Sequence, residues 1–280
     1  MTETIAPTGT CRNCGAALAG PYCGQCGQKD RPLNPSLFSL AGEAIAEAFD
    51  VDGKLLRSIR ILFTRPGFLT NALFAGRRAS YVSPLRLYLV FSVILFAVSA
   101  VVANRALVMP PEGNRIDLGG GMSIWWDDAR PGDRERTIAQ AERQVAVRTT
   151  WLPRAMFVVV PLLALGVMVL TWRSGRRFPQ HLQFTAHVQA VVFAGFALLM
   201  ALPRLPSGSF AEVWKAAWAL ASLRSAVILA VVVYTVMAFK SVYGGGWFRN
   251  SLRTVVVALM FAVLWNAAGS LILRYSRFLG

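Results

Sequence analysis

Apolar positions along this chain follow two different patterns. From Leu85 onward they come in long runs, at about 85–102, 153–172, 185–202, 223–239 and 252–273. Each run approaches or exceeds the roughly 18–20 residues a helix needs to cross the hydrocarbon core. Before Leu85 the pattern is amphipathic. Ser36 can cap a helix to about Phe49, with Leu37, Leu40, Ala41, Ala44, Ile45 and Ala48 on one face. Lys54 to Phe63 resumes helical spacing, with Leu55, Leu56, Ile59, Leu62 and Phe63 apolar and Arg57 and Arg60 facing the other way. A third, shorter helix follows Pro66, whose missing N–H costs nothing in a first turn. Leu69, Leu73 and Phe74 share its apolar face, and Gly76 closes it. The pattern predicts an all-α membrane protein, a five-helix transmembrane bundle over 85–280 preceded by amphipathic juxtamembrane helices over 36–84.

Two stretches modify this outline. The segment 104–150 is the one long loop among the runs, and its front half, rich in Gly and Pro, reads as irregular. Asp133 to Arg148 reads as a small external helix, with acids in the first turn and arginine in the last to complement the macrodipole. Residues 210–222 leave two alternatives open, an interfacial helix or an extension of the fourth run.

Composition sharpens the class. Of 280 residues, 55% are hydrophobic and 15% charged, where a soluble domain carries about a quarter. Net charge is +15, almost all from arginine. These cations border the apolar runs instead of forming one polar face, so a membrane explains them and nucleic acid is not an expected partner. Arg65, Arg77, Arg78 and Arg86 precede the first run, Arg173, Arg176 and Arg177 follow the second, and Lys240, Arg249 and Arg253 flank the turn after the fourth. By the positive-inside rule the N-terminus is cytoplasmic and the C-terminus outside. Met1 to Thr10 lacks the basic and apolar regions of a secretory signal, which agrees. Arg77 and Arg78, following a short amphipathic helix, read as a collar against anionic lipid headgroups or as arginines that only set topology.

All four cysteines fall in Cys11-Arg12-Asn13-Cys14-Gly15 and Cys23-Gly24-Gln25-Cys26-Gly27. Two residues between cysteines let a tight turn aim both sulfurs at one ion, and the glycine after each pair permits positive φ. Cys11, Cys14, Cys23 and Cys26 therefore read as ligands of one structural Zn²⁺, within a zinc ribbon and linker over 1–35. Iron in the same cage is the alternative, but the short spacer leaves little apolar shell for redox tuning.

Elsewhere the chemistry is sparse. After Glu142 the only carboxylate is Glu212, so the spans hold no acid for proton coupling or general acid–base work. No catalytic residue is identified, and the protein is expected not to be an enzyme. His181 and His187 are the only histidines, and they read as structural hydrogen-bonding groups or as part of a lipid or ligand site with Arg176 and Arg177.

Several motifs carry a resemblance: CRNCG, YCGQCGQ, the 52–57 stretch before RPG, GRRASYVSPLRLY, FTAHVQAVVF and KSVYGGGW. The chain resembles uncharacterised bacterial membrane proteins grouped as domain of unknown function 3667, in which a double-CxxC ribbon ending in CGQ precedes a membrane bundle. The resemblance implies a multi-pass protein of the bacterial inner membrane and no mechanism. The resulting expectation is a non-enzymatic protein whose cytoplasmic ribbon docks a protein partner while the bundle anchors or organises membrane components, lipids included. A carrier of a lipid or small solute is the alternative.

Overall fold

The computed structural model describes residues 9–30, 53–108, 115–119, 122–125, 127, 132–202 and 209–276. The predicted helix over 36–49 lies outside them. Among the described residues seven α-helices follow in order: α1 (Gly53–Thr64), α2 (Phe68–Phe74), α3 (Pro84–Val108), α4 (Asp133–Leu170), α5 (Phe178–Ala201), α6 (Phe210–Tyr243) and α7 (Trp247–Ser276). Five stretches among the described residues are long and apolar enough to cross a membrane, Pro84–Arg105, Asp133–Leu170, Phe178–Ala201, Ala217–Tyr243 and Trp247–Ile272. They mark a multi-pass membrane protein of the predicted all-α class.

Three local expectations change. Residues 133–148 and the second run form one helix, not two, which continues through the proline at their junction. Thr149 Oγ1 donates back to the Val145 carbonyl at 2.9 Å inside that helix. Pro153 and Pro161 lie within α4 instead of starting it. Residues 210–222 belong to α6, which settles the two alternatives left by the sequence. The loop ahead of α4 is not wholly irregular, since Arg115–Gly119 (β1) pairs antiparallel with Met122–Trp125 (β2).

The chain divides into two compact units, Met1–Leu89 with Leu163–Val191 and Tyr234–Val256, and Val90–Leu162 with Val192–Val233 and Val257–Gly280. The second is packed by apolar contacts. Phe96 meets Phe193 edge-on at 6.3 Å, and Phe196 stacks on Phe261 at 6.1 Å. Gly195 lets Val231 approach so closely that a Cβ there would stand 2.7 Å from it.

The first unit holds the cysteine ribbon, the turn at 171–177 and the turn at 244–246, which collects all three basic clusters. Within it α2 is a single short helix closed at both ends. Gly67 precedes it at φ 78, and a Cβ there would meet Ser241 at 2.8 Å, so both conformation and space demand glycine. At the other end Gly76 N–H donates to Leu73 O and Arg77 N–H to Ala72 O, both at 2.9 Å, the paired bonds of a Schellman motif. Gly76 thus ends the helix as its sequence position predicts.

Candidate metal centre and its juxtamembrane seat

Each cysteine pair builds the same local structure twelve residues apart. Gly15 N–H donates to Cys11 O and Cys11 N–H to Ala16 O; Gly27 N–H donates to Cys23 O and Cys23 N–H to Gln28 O. Bridges Thr10–Ala17 and Tyr22–Lys29 close the two turns. Gly15 and Gly27 adopt φ 80 and 70, as the glycine in each CxxCG predicts. The four sulfurs all lie within 4.8 Å of one another. Cys11 and Cys26 Sγ are 3.6 Å apart, and Cys14 and Cys23 Sγ 3.5 Å. Four thiolates about 2.3 Å from one ion would form a tetrahedron with edges of about 3.8 Å, so the cage fits a metal ion closely. All four predicted ligands come together.

The thiols are electrostatically unequal. The Gln28 N–H, together with the Asn13 side chain, lowers Cys26 to about 6. Backbone N–H groups of Cys26 and Gln25 lower Cys23. For Cys14 the Ala16 N–H pulls downward, but burial and the three neighbouring thiols outweigh it and raise the group to about 12. Such divergence is the expected response of four thiols competing for negative charge in one cluster, a competition that a bound cation relieves.

What the sequence does not reveal is where the ribbon sits. Gln28 Nε2 donates to Gly76 O at 2.8 Å, and the N–H groups of Arg78 and Ala79 donate to Gln28 Oε1 at 2.9 and 3.0 Å. Ser80 Oγ donates to Asn13 Oδ1 at 2.8 Å. One side chain from each knuckle therefore grips the turn between α2 and α3. The signal for Gln28 was present in the CGQ ending, but nothing in one sequence pairs it with residues fifty positions away. Ser58 was also unforeseen. It is fully buried in α1 and accepts the Val82 N–H at 3.0 Å, fixing the same turn from its other end.

The collar reading changes with this geometry. Leu69, Thr70 and Ala72 of α2 are buried against the protein, and Leu73 and Phe74 are half-buried, so this helix does not offer its apolar face to lipid. Arg77 is exposed and Arg78 half-buried, while Arg86 is buried. The outward amphipathic helix is α1, where Leu56 is 73% and Phe63 42% exposed beside the exposed Arg57 and Arg60. The sequence therefore placed Arg57 and Arg60 opposite an apolar face that in part lies beside them.

Among the other predicted contact residues, Arg176 is spoken for. Its guanidinium lies 4.4 Å from the Phe74 ring centre and donates from Nη2 to Val242 O at 3.0 Å, capping the end of α6. Arg177 is exposed. The two histidines occupy separate nests. His181 Nδ1 lies 2.9 Å from the Tyr243 hydroxyl and 3.4 Å from Thr171 Oγ1. His187 Nδ1 shares a hydrogen bond of 2.9 Å with Thr70 Oγ1 and lines a small cleft with Arg65, Tyr234 and Phe184. Both Nε2 atoms are buried with no hydrogen-bond partner among the described residues. The cleft has room for about one water molecule. His187, Arg176 and Arg177 thus do not converge on one site. A further buried group, Asn250, donates from Nδ2 to the carbonyls of Gly244 and Gly246 at 3.1 Å each and Gly245 at 3.4 Å, holding the turn between α6 and α7.

No curated protein and no solved structure matches the chain. Residues 52–96, which hold α1, α2, the gripped turn and the start of α3, match the family described as "Protein of unknown function (DUF3667)".

Proposed function

We propose that the protein is a non-enzymatic membrane adaptor, in which a structural zinc ribbon is clamped to the entrance of the first span and presents its outer face to a protein partner. The observation that carries this reading is the grip of Gln28 and Asn13 on residues 76–80, which makes the ribbon a rigid part of the first unit instead of a tethered domain. A closed set of four thiolates leaves no open coordination position, which suits a structural zinc and not a catalytic one. Hard cations such as Mg²⁺ and Ca²⁺ prefer oxygen ligands. The outer face offers Tyr22, 57% exposed, with the Lys29 ammonium 5.6 Å over its ring. A cation held on an exposed aromatic suits an acidic protein surface. In this reading the face is cytoplasmic, in keeping with the arginine distribution, and the spans lie in a bacterial inner membrane, as the family resemblance implies.

A carrier of a lipid or small solute is the second reading, favoured by the unpartnered Nε2 of His187. The cleft it lines is about one water in size, far below what a solute requires. Affinity purification from mild detergent separates the two readings. The intact chain and a Tyr22→Ala, Lys29→Ala variant are compared. An adaptor loses its protein partner in the variant while keeping its metal. Equal recovery of partner from both, or a co-purified lipid as the only companion, defeats the adaptor reading.

A further inference from the structure

Both residues that grip the juxtamembrane turn belong to the cysteine knuckles themselves. Gln28 follows Cys26 by two residues, and its carboxamide bonds residues 76, 78 and 79. Asn13 lies between Cys11 and Cys14 in the first knuckle, and its Oδ1 accepts the Ser80 hydroxyl. Each residue thus links the metal cage to the chain segment that enters the first span. The same two links make the cage a requirement for the grip. The Cys23 N–H donates to Gln28 O, so the Gln28 backbone is part of the second knuckle itself. A knuckle of this size cannot bury a core and depends on its ion for a defined fold.

We infer that metal occupancy of the cysteine cage controls the conformation of residues 76–80 through Gln28 and Asn13, so that the ribbon works as a metal-dependent latch on the entrance to the first span. With the ion in place, the carbonyl of Gly76 and the N–H groups of Arg78 and Ala79 are all satisfied by one side chain. When the ion leaves, all three partners leave together, and the turn that carries Arg77 and Arg78 loses its bonds to the ribbon. The carboxamide of Gln28 suits this task because it both donates and accepts, matching a turn that presents one carbonyl and two N–H groups. Neither Glu nor Lys could serve all three. This inference builds on the ribbon docking that underlies the adaptor reading, but it makes no use of an external partner.

Amide hydrogen exchange on the full chain in lipid nanodiscs tests it, with and without stripping of the metal by a chelator. The N–H groups of Arg78 and Ala79 should exchange about fivefold faster once the metal is removed, the size expected for losing one hydrogen bond. Val82 N–H, which donates to Ser58 and not to the ribbon, is the internal control and should keep its rate. Gln28→Ala should reproduce the faster exchange at 78 and 79 while still retaining its metal, as measured by elemental analysis. Unchanged protection at 78 and 79 after metal removal would overturn the latch. So would equal acceleration at Val82, because it would show general unfolding of the turn, and so would loss of the ion from Gln28→Ala. Partner capture is not read in this experiment, so an adaptor without a latch, or a latch without an adaptor, is recognised as such.

Discussion

The two compact units are built from the same five spans and differ sharply in what they bury. The first buries twelve polar side chains among the described residues, from Ser58 and Thr70 to Asn250 and Thr254; the second buries two, Ser92 and Thr137. In the second, position is set by shape, through aromatic contacts and a glycine that admits a valine. In the first it is set by directional bonds: Gln28 to the turn at 76–79, Thr70 to His187, Tyr243 to His181, and Asn250 to three carbonyls. A buried polar group tolerates only the arrangement that satisfies it, whereas apolar surfaces slide at little cost. The first unit is therefore where this protein is specific, and it is also where its metal cage and basic clusters lie.

Predictions that break this contrast can be ranked by size. The largest effect belongs to the cage. Cys14→Ser should reduce bound metal from about one ion per chain to none and unfold the ribbon, while helix content by circular dichroism stays close to that of the parent chain, because folding of the ribbon depends on the ion. A variant that keeps its metal would remove the cage from the account.

Next come the two asparagines of α7, one in each unit. Asn250→Ala strands three carbonyls of a tight turn and should destabilise the protein by about 2–3 kcal/mol in thermal unfolding in detergent. Asn266 is exposed and bonds only the Ala262 carbonyl of its own helix, at 2.7 Å. Its replacement by Ala should stay within about 0.5 kcal/mol. Equal costs would show that directional bonding is not what distinguishes the units.

Thr70→Val is expected to cost about 1–3 kcal/mol, since it leaves His187 buried with neither ring nitrogen bonded to protein. The double change with His187→Phe should cost less than the sum of the single changes, as measured by a double-mutant cycle. Strict additivity would mean that the pair is adjacent without being coupled.

The smallest effect concerns lipid. Arg57→Gln with Arg60→Gln should lower the anionic lipid retained by the purified chain, each arginine near such a surface contributing on the order of 1 kcal/mol and less at high salt. Leu69→Ser should instead act on stability, because Leu69 is buried in protein. The opposite assignment, with α2 governing lipid retention, would favour the collar reading of Arg77 and Arg78.

Much of this architecture was legible because it rests on local pattern. Apolar runs set the five spans, CxxCG spacing set the four ligands, and Gly76 marked the end of α2. What stayed hidden depends on pairing across the chain. Gln28 and Gly76 are adjacent only after folding, and Thr70 looked like any helix-interior threonine until His187 stood beside it. The β1–β2 hairpin was obscured by its own composition, since a four-residue alternation between glycines gives too little pattern to read. Pro153 misled in the other direction. A proline commonly marks a helix start, and here α4 runs through it.

The duplicated form of the ribbon has one more consequence. A cage made of two like knuckles has an approximate twofold repeat, and a perfectly repeated ribbon could seat on its receptor in two orientations, a degeneracy of about 0.4 kcal/mol in entropy (RT ln 2, with RT near 0.59 kcal/mol). The position matching Gln28 in the first knuckle is Ala16, whose methyl can neither donate nor accept. Turned end for end, the ribbon would keep its cage and forfeit every bond that Gln28 makes to the turn. The metal cannot tell the knuckles apart, but the seat can, so the ribbon behaves as a keyed plug that enters one way round.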